Sequence, residues 1–152
     1  MHIEPANLDG TAFVALMEEH RDTMRAASPL ESQHALDLDG LRQPDVRVWV
    51  LRDGDALAGC GALQHIDEAH AEIKAMRTAL GYQRRGVAKA MLAFLVGEAK
   101  QRGYTRLSLE TGATDYFIPA RTLYAAAGFE PCGPFADYED DPNSAYLTRT
   151  LD

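Results

Sequence analysis

The fold is decided by two neighbouring stretches, EIKAMRT at residues 72–78 and QRRGVAKAM at residues 83–91. The first is typical of a strand, and the second of a glycine-containing turn that opens a helix. The first N–H groups of a helix have no intrahelical acceptor, and the helix dipole adds partial positive charge there. Gly86 gives a ligand close access to this backbone. The pattern therefore predicts a phosphate or pyrophosphate site, reinforced by the cations of Arg84, Arg85 and Lys89.

A simpler interpretation stays open at this point. Basic side chains in the first turn of a helix are commonly solvated, and a glycine there can serve only to ease the turn. The spacing also lacks the Gly-Lys-Ser/Thr of a Walker loop and the GxGxxG of a dinucleotide fingerprint, so neither of those two phosphate sites is predicted.

The rest of the chain alternates between helix and strand patterns. Apolar residues recur at helical spacing after Asp9, and a second helical piece begins at residues 28–29 and ends before Pro44. The order of the elements predicts an α/β chain with a mixed sheet rather than a helix bundle. Further helices are predicted over residues 86–101 and 120–127, and strands over residues 2–5, 46–51, 57–63, 71–78, 105–111, 129–132 and 145–151.

Length and composition narrow the classes of function. The 152 residues carry a net charge of −8 and are 46% hydrophobic, which fits one globular domain and argues against nucleic-acid binding. We expect no membrane-spanning helix, because no apolar run reaches about 18 residues. We expect a cytoplasmic protein, because the N-terminus lacks a signal-peptide pattern and two cysteines do not make a disulfide framework.

Two spaced motifs carry a family resemblance. Gln83, Gly86 and Ala88 fit the pattern (Arg/Gln)-x-x-Gly-x-(Gly/Ala), and residues 120–129 fit a later Ala-x-x-Leu-Tyr-x-x-x-Gly-Phe pattern. In this order and around these elements, the chain resembles the GCN5-related N-acetyltransferase (GNAT) superfamily, and its tail is similar to a bacterial small-molecule subgroup. The resemblance implies a mostly antiparallel mixed sheet flanked by helices, with a splayed central strand pair.

The resemblance also divides the single domain, residues 1–152, into three parts. Residues 1–45 would form a helical wall on the acceptor side, and residues 46–133 the acetyl-CoA-binding core. Residues 134–152 would form a C-terminal strand region. A homodimer is common in the family, and we keep it as an open expectation.

Acetyl-CoA is the donor that the resemblance implies. Its pyrophosphate would lie on the amides from Arg84 to Lys89, and its pantetheine arm would pair with the backbone of Met76 and Thr78. A backbone N–H near Met76 would also polarise the thioester carbonyl. The predicted cofactor-binding residues are Met76, Arg77, Thr78, Gln83, Arg84, Arg85, Gly86, Val87, Ala88, Lys89, Thr111, Phe117 and Ala120.

Two positions depart from the family pattern. Phe117 stands where the family often has an asparagine that contacts the cofactor, which leaves Thr111 or Thr114 as substitutes. Thr78 stands where the third strand usually has a valine.

Two residues are predicted to be catalytic. Tyr124 lies in the Leu-Tyr-x-x-x-Gly-Phe motif, and a phenol with a pKa of about 10 suits either protonation of the leaving thiolate or its stabilisation by a hydrogen bond. Glu72 lies in an Ala-Glu-Ile context where one branch of the family carries a base that deprotonates the amine. The alternatives are a core tyrosine bonded to the backbone and a strand glutamate that faces solvent.

Other chemically active residues are weighed more lightly. His65 and His70 lack a metal-ligand pattern, so no metal is expected, and Cys132 fits a core thiol better than an acyl-carrying nucleophile. Direct transfer is therefore expected. The candidate acceptor contacts are Glu31, His34, Tyr138 and Asn143, followed by Arg21, Arg25 and Asp137.

The sequence thus predicts an N-acetyltransferase that moves an acetyl group directly from CoA to a primary amine of a small-molecule or amino-acid-like acceptor. Two alternatives stay open. One is an enzyme that acetylates the N-terminus or a lysine of a peptide or protein, and the other is a non-catalytic sensor module that binds acyl-CoA.

Overall fold

A computed structural model describes the backbone of residues 1–27 and 38–152 and the side chains of residues 1–19 and 38–152. The predicted helix from residues 28–29 therefore lies mostly outside the described residues. No helix in the described part of the chain has both the length and the apolar character that crossing a bilayer requires.

The elements are β1 (His2–Pro5), α1 (Thr11–Ala27), α2 (Leu38–Leu41), β2 (Val46–Asp53), β3 (Ala56–Asp67), β4 (His70–Thr78), α3 (Val87–Gln101), β5 (Arg106–Gly112), a 3₁₀ turn (Asp115–Phe117), α4 (Ile118–Ala126), β6 (Glu130–Cys132) and β7 (Ser144–Thr150).

The strands form one seven-stranded sheet in the order β1-β2-β3-β4-β5-β7-β6. Within the described residues, β4 and β5 are the parallel pair, and the other neighbours are antiparallel. A parallel pair needs a crossover, and α3 supplies it between β4 and β5. The predicted mixed, mostly antiparallel sheet is confirmed.

Each face of the sheet has its own cover. On one face, α3 and α4 pack against the alternate strand residues Ala71, Ile73, Leu107 and Leu109. On the other face, α1 and α2 cover Cys60 and Ala62 of β3. We call these the α3 face and the α1 face. The segment between β6 and β7, residues 133–143, adds Tyr138 to the α1 face beside β4.

The parallel pairing of β4 with β5 ends halfway along both strands. Paired residues run from His70 with Arg106 to Ile73 with Leu109, although β4 continues to Thr78 and β5 to Gly112. Beyond this point β4 still pairs with β3, and β5 still pairs with β7. The sheet therefore opens in its middle, which confirms the predicted splayed strand pair.

Local features on both strands accompany the opening. In β4, Ala75 has a φ of 54°, a left-handed conformation, within an irregularity where three steps of β4 match two of β3. At the end of β5, the ring of Phe117 occupies the space where a side chain on Gly112 would lie. The Arg121 guanidinium then donates to the Gly112 carbonyl at 2.6 Å and to the Thr114 carbonyl at 3.0 Å. The end of β5 is thus anchored to α4.

Close packing brings the start of α3 against β3 and β4. A Cβ on Gly59 would lie 2.5 Å from the Arg77 carbonyl oxygen and 2.7 Å from Val87 Cγ1. Val87 is the first residue of α3 and is 2% exposed. The absence of a side chain on Gly59 therefore sets how near the helix N-terminus comes to the open part of β4.

We expect Gly59→Ala to lower the free energy of unfolding by about 1–3 kcal/mol, because the added methyl meets backbone that cannot yield. Urea unfolding followed by circular dichroism measures this. Gly97→Ala is the matched control: Gly97 lies within α3 with no atom within 4 Å of its Cβ position, so alanine should stabilise by roughly 0.5–1 kcal/mol. Equal stability of Gly59→Ala and wild type would contradict the packing described here.

Candidate active site

The turn before α3 has the features of an anion site. Arg84 and Gly86 have φ values of 63° and 81°, so two left-handed residues wind the backbone just before the helix. Ala90 N–H is bonded to the Gly86 carbonyl at 3.0 Å, so the N–H groups of the preceding helical residues have no acceptor within the helix. No atom lies within 4 Å of the Cβ position of Gly86. A phosphate can therefore approach this backbone closely.

The side chains of this turn differ in their surroundings. Gln83, Arg84 and Lys89 are exposed, and the Arg85 guanidinium lies 4.8 Å from the centre of the Tyr82 ring. Among the other predicted cofactor residues here, Ala88 is half-buried, whereas the Val87 side chain is buried in the core, so that only its backbone faces the turn.

The predicted strand contacts lie at the opening between β4 and β5. Met76, Arg77 and Thr78 follow the last β4–β5 pair, and all three are half-buried. The Arg77 Nε atom is buried and has no hydrogen-bond partner within the described residues. Burial lowers the pKa of Arg77 to about 10, so the guanidinium stays charged at neutral pH.

Three further cofactor candidates lie on the β5 side of the opening. Thr111 and Ala120 are half-buried, whereas Phe117 is 7% exposed and packs against Gly112. Thr114, considered as a polar substitute, has a buried hydroxyl without a hydrogen-bond partner in the described part of the chain. The phenylalanine thus has a packing function at this position, and its role toward a cofactor stays a prediction.

Glu72 is the centre of a buried polar cluster on the α1 face. It is 3% exposed, and its Oε2 atom accepts a hydrogen bond of 2.6 Å from the Tyr138 hydroxyl. Lys74 Nζ lies 3.4 Å from the same carboxylate oxygen and donates to the Tyr138 hydroxyl at 3.1 Å. Burial raises the pKa of Glu72, and the Lys74 cation and the Tyr138 hydrogen bond partly oppose that rise. The predicted base and a predicted acceptor contact, Tyr138, are therefore direct neighbours.

A second carboxylate, Glu110, lies on β5 beside this cluster. It is the residue after Leu109, the last one paired with β4, and its Oε2 atom accepts a 2.7 Å hydrogen bond from Ser144 Oγ. Burial raises the pKa of Glu110 to about 7, and the negative charge of Glu72 contributes to the rise. Lys74 and Ser144 act in the opposite direction. The carboxyl group of Glu110 therefore changes its protonation state near neutral pH.

Tyr124 lies on the opposite face, among the core residues that pack beneath α3 and α4. Burial raises the pKa of Tyr124 to about 12; the nearby Arg77 cation opposes the rise, and Glu110 adds to it. The phenol therefore keeps its proton throughout the physiological range. Arg77 lies on β4 and Glu110 lies on β5, so Tyr124 interacts electrostatically with charged groups on both sides of the opening.

The remaining predicted acceptor contacts are only partly described. Asn143 accepts a hydrogen bond from Ala113 N–H on its carbonyl, which ties the β6–β7 segment to the end of β5, and Asp137 is exposed. The other four candidates, Glu31, His34, Arg21 and Arg25, have side chains outside the described residues.

Sequence reasoning missed Glu110 and Lys74. Alternation along β5 was available as a signal: Leu107 and Leu109 face the core, so Ser108 and Glu110 must share the other face. The proximity of Glu110 to Glu72 was not available, because it depends on the register that sets Glu72 beside Ser108.

The sequence profile of the Acetyltransferase (GNAT) family matches residues 13–129. Among curated proteins, the chain is 51% identical over 151 residues to the Bacillus subtilis (strain 168) protein named uncharacterized N-acetyltransferase YsnE, covering 99% of this chain and 100% of that one. It is 46% identical over 149 residues to the Escherichia coli (strain K12) protein named uncharacterized N-acetyltransferase YedL, covering 98% and 94%.

Solved structures share the fold. An acetyltransferase of the GNAT family from Staphylococcus aureus Mu50 superimposes with a TM-score of 0.76 at 18% identity, covering 99% of each chain. A GNAT family acetyltransferase from Elizabethkingia anophelis with acetyl-CoA bound has a TM-score of 0.69 at 18% identity, covering 99% of this chain and 97% of the other.

Proposed function

The chain belongs to the GNAT acetyltransferase family, and on that premise we propose that it transfers an acetyl group from acetyl-CoA to a primary amine of a small-molecule or amino-acid-like acceptor. The observation that carries the proposal is the opening of the sheet after Ile73 and Leu109, with the start of α3 at one end and carboxylates on its α1 face.

The chain fits a CoA thioester at this opening. The N–H groups before and within the first turn of α3 suit the pyrophosphate, and the open backbone of Lys74–Thr78 offers an edge with which an extended pantetheine arm can pair. Among the structural relatives, the Elizabethkingia protein holds acetyl-CoA. When bound, the donor supplies an acetyl thioester whose carbonyl carbon is attacked and whose sulfur leaves as a thiolate.

The charge on the α1 face favours an amine acceptor. Glu72 and Asp141 place negative charge near Glu110, and the Lys74 cation lies beside Glu72. Negative charge beside the opening favours the approach of an ammonium ion. A carboxylate of this face removes one ammonium proton so that the nitrogen can attack. Glu72, the base predicted from the sequence, stays a prediction.

Tyr124 supplies the proton for the leaving group in this proposal. Its hydroxyl gives a proton to the sulfur as the C–S bond breaks, and the proton that the new amide nitrogen loses restores the phenol. The proton on the carboxylate then passes to solvent. The sum is one acetyl amide, one CoA thiol and one released proton for each ammonium consumed.

The central experiment measures CoA-thiol release from acetyl-CoA with a panel of small amines, amino acids, peptides and a lysine-rich protein. Release that requires a small amine supports the proposal. Release only with peptides or protein would shift the acceptor class, and tight acetyl-CoA binding without release across the panel would indicate a sensor module.

Gly86→Asp should abolish binding of CoA, because the aspartate places bulk and negative charge where the pyrophosphate lies. At 100 times Kd, CoA should stabilise wild type by about 2.7 kcal/mol, or roughly 5–10 °C in Tm, and this shift should vanish in the variant. Gly103→Asp is the matched control, since Gly103 is also a positive-φ glycine with open space around it, at the other end of α3. A normal shift in Gly86→Asp would place the phosphates elsewhere.

Tyr124→Phe should lower kcat by about 10²–10³-fold while leaving the CoA-induced thermal shift unchanged. Because burial raises the pKa of Tyr124 to about 12, wild-type activity should show no loss from phenol ionisation at physiological pH. Tyr104→Phe is the control. It removes a hydroxyl that lies away from the opening and forms a 2.7 Å hydrogen bond with His65, and it should retain activity. Wild-type turnover in Tyr124→Phe would assign this residue to packing alone.

A further inference from the structure

We propose that Glu110 is the carboxylate that takes the proton from the acceptor ammonium, and that Glu72 is a positioning residue that holds Lys74 and Tyr138. The inference rests on the proposed function and deepens it by assigning the base. It begins from a difference between two carboxylates on the same face of the sheet.

The carboxylate of Glu72 already has two partners within the protein. Its Oε2 atom accepts from the Tyr138 hydroxyl at 2.6 Å and lies 3.4 Å from Lys74 Nζ, and only 3% of the residue is exposed. Taking up a proton would leave the partly buried Lys74 cation without its counter-charge, which is costly in a region of low dielectric constant. These contacts are those of a group that stays ionised and fixes the orientation of its neighbours.

Glu110 has the opposite character. It lies one residue beyond the last β4–β5 pair, at the point where the sheet opens, and it is half-buried rather than enclosed. Its hydrogen bond comes from the neutral hydroxyl of Ser144, with no ion pair within the described residues. Protonating Glu110 therefore breaks no salt bridge with the side chains of residues 1–19 and 38–152, and the same carboxylate can gain and release a proton in each cycle.

The surroundings of Glu110 bring its pKa close to neutral pH. Burial raises its pKa to about 7, which is where a general base at neutral pH is most effective. The charged and titratable groups around it come from four elements: Glu72 and Lys74 of β4, Asp141 and Tyr138 of the β6–β7 segment, Tyr146 of β7 and Tyr124 of α4.

Glu110 and Tyr124 also lie on different sides of the sheet. Glu110 shares the α1 face with Tyr146, its direct cross-strand partner on β7, whereas Tyr124 belongs to the core on the α3 face. The negative charge of Glu110 contributes to the raised pKa of Tyr124, so the two groups interact across the opening. An amine entering from the α1 face would meet the base, and the departing sulfur would meet the acid.

The proton balance is simple. The ammonium gives one proton to Glu110, its nitrogen forms the C–N bond, and the C–S bond breaks with protonation of sulfur by Tyr124. The second nitrogen proton restores the phenol, and Glu110 releases its proton to solvent before the next turnover.

The test is the pH profile of kcat/KM for the best amine of the panel. Wild type should show an acid limb near pH 7. Glu110→Gln should lose this limb and fall at least 100-fold at pH 7.5, then recover as the pH approaches the pKa of the free amine, where the acceptor needs no base. Asp55→Asn, which removes an exposed carboxylate in the β2–β3 turn, should keep the wild-type profile.

Substitutions of residues near Glu110 should shift the acid limb of the pH profile, in a direction set by the charge or hydrogen bond that each one removes. Glu72→Gln removes a negative neighbour and so should shift the limb to lower pH, and Lys74→Met removes a positive neighbour and should shift it to higher pH. Ser144→Ala removes a hydrogen bond to the ionised form and should also shift it to higher pH. The CoA-induced thermal shift should stay intact in all of them, which shows that each is folded.

The outcomes separate the two proposals. If Glu72→Gln loses the limb and Glu110→Gln merely shifts it, Glu72 is the base and the inference fails while the proposed function stands. If Glu110→Gln has the wild-type profile, the inference likewise fails alone. If wild type releases no thiol with any amine, the proposed function fails, and the assignment of Glu110 as the base fails because it rests on that function.

Discussion

The end of the β4–β5 ladder is the constraint on which the rest of the site depends. Hydrogen bonds that would have joined the second halves of these strands are absent, so their backbone groups are available to a ligand in the middle of the sheet. Unpaired backbone groups in the middle of a sheet destabilise the fold unless neighbouring residues hold the two strands apart. The opening is held on the β4 side by the left-handed Ala75 and on the β5 side by Phe117 and Arg121. The close packing at Gly59 brings the first turn of α3 near the open part of β4.

Desolvation then sets the acid–base character of the groups beside the opening. Burial raises the pKa of Glu110 toward neutrality and moves that of Tyr124 further above it, so one group exchanges protons near pH 7 and the other retains its proton. Charge neighbours adjust these values, with Lys74 and Arg77 opposing the effect of burial. Removal from water thus raises both pKa values, and the two groups differ in protonation near pH 7 because a carboxyl and a phenol start from ordinary values of 4.5 and 10.0.

Much of this arrangement could be predicted from the sequence. Apolar alternation located the strands, and Gly86 and its basic neighbours located the start of α3. The splayed pair was implied by the family resemblance that two spaced motifs carry. These signals are local, or they repeat at fixed intervals along the chain. The contact of Tyr138 with Glu72 joins residues 66 positions apart, and it depends on how the β6–β7 segment crosses the sheet. Glu110 was overlooked for a related reason: its neighbours come from other elements, so its chemistry follows from register and burial rather than from a motif.

The departure at Phe117 has a structural meaning that the family pattern alone does not convey. The ring fills the space above Gly112, so residues 112 and 117 must be considered together: a side chain at one position excludes a large ring at the other. The Arg121 guanidinium on α4 donates to the Gly112 and Thr114 carbonyls beside this ring. This anchoring keeps the end of β5 against α4, and the two elements carry Glu110 and Tyr124. The relative placement of the proposed base and acid therefore depends on an apolar contact and two carbonyl hydrogen bonds, none of which takes part in proton transfer.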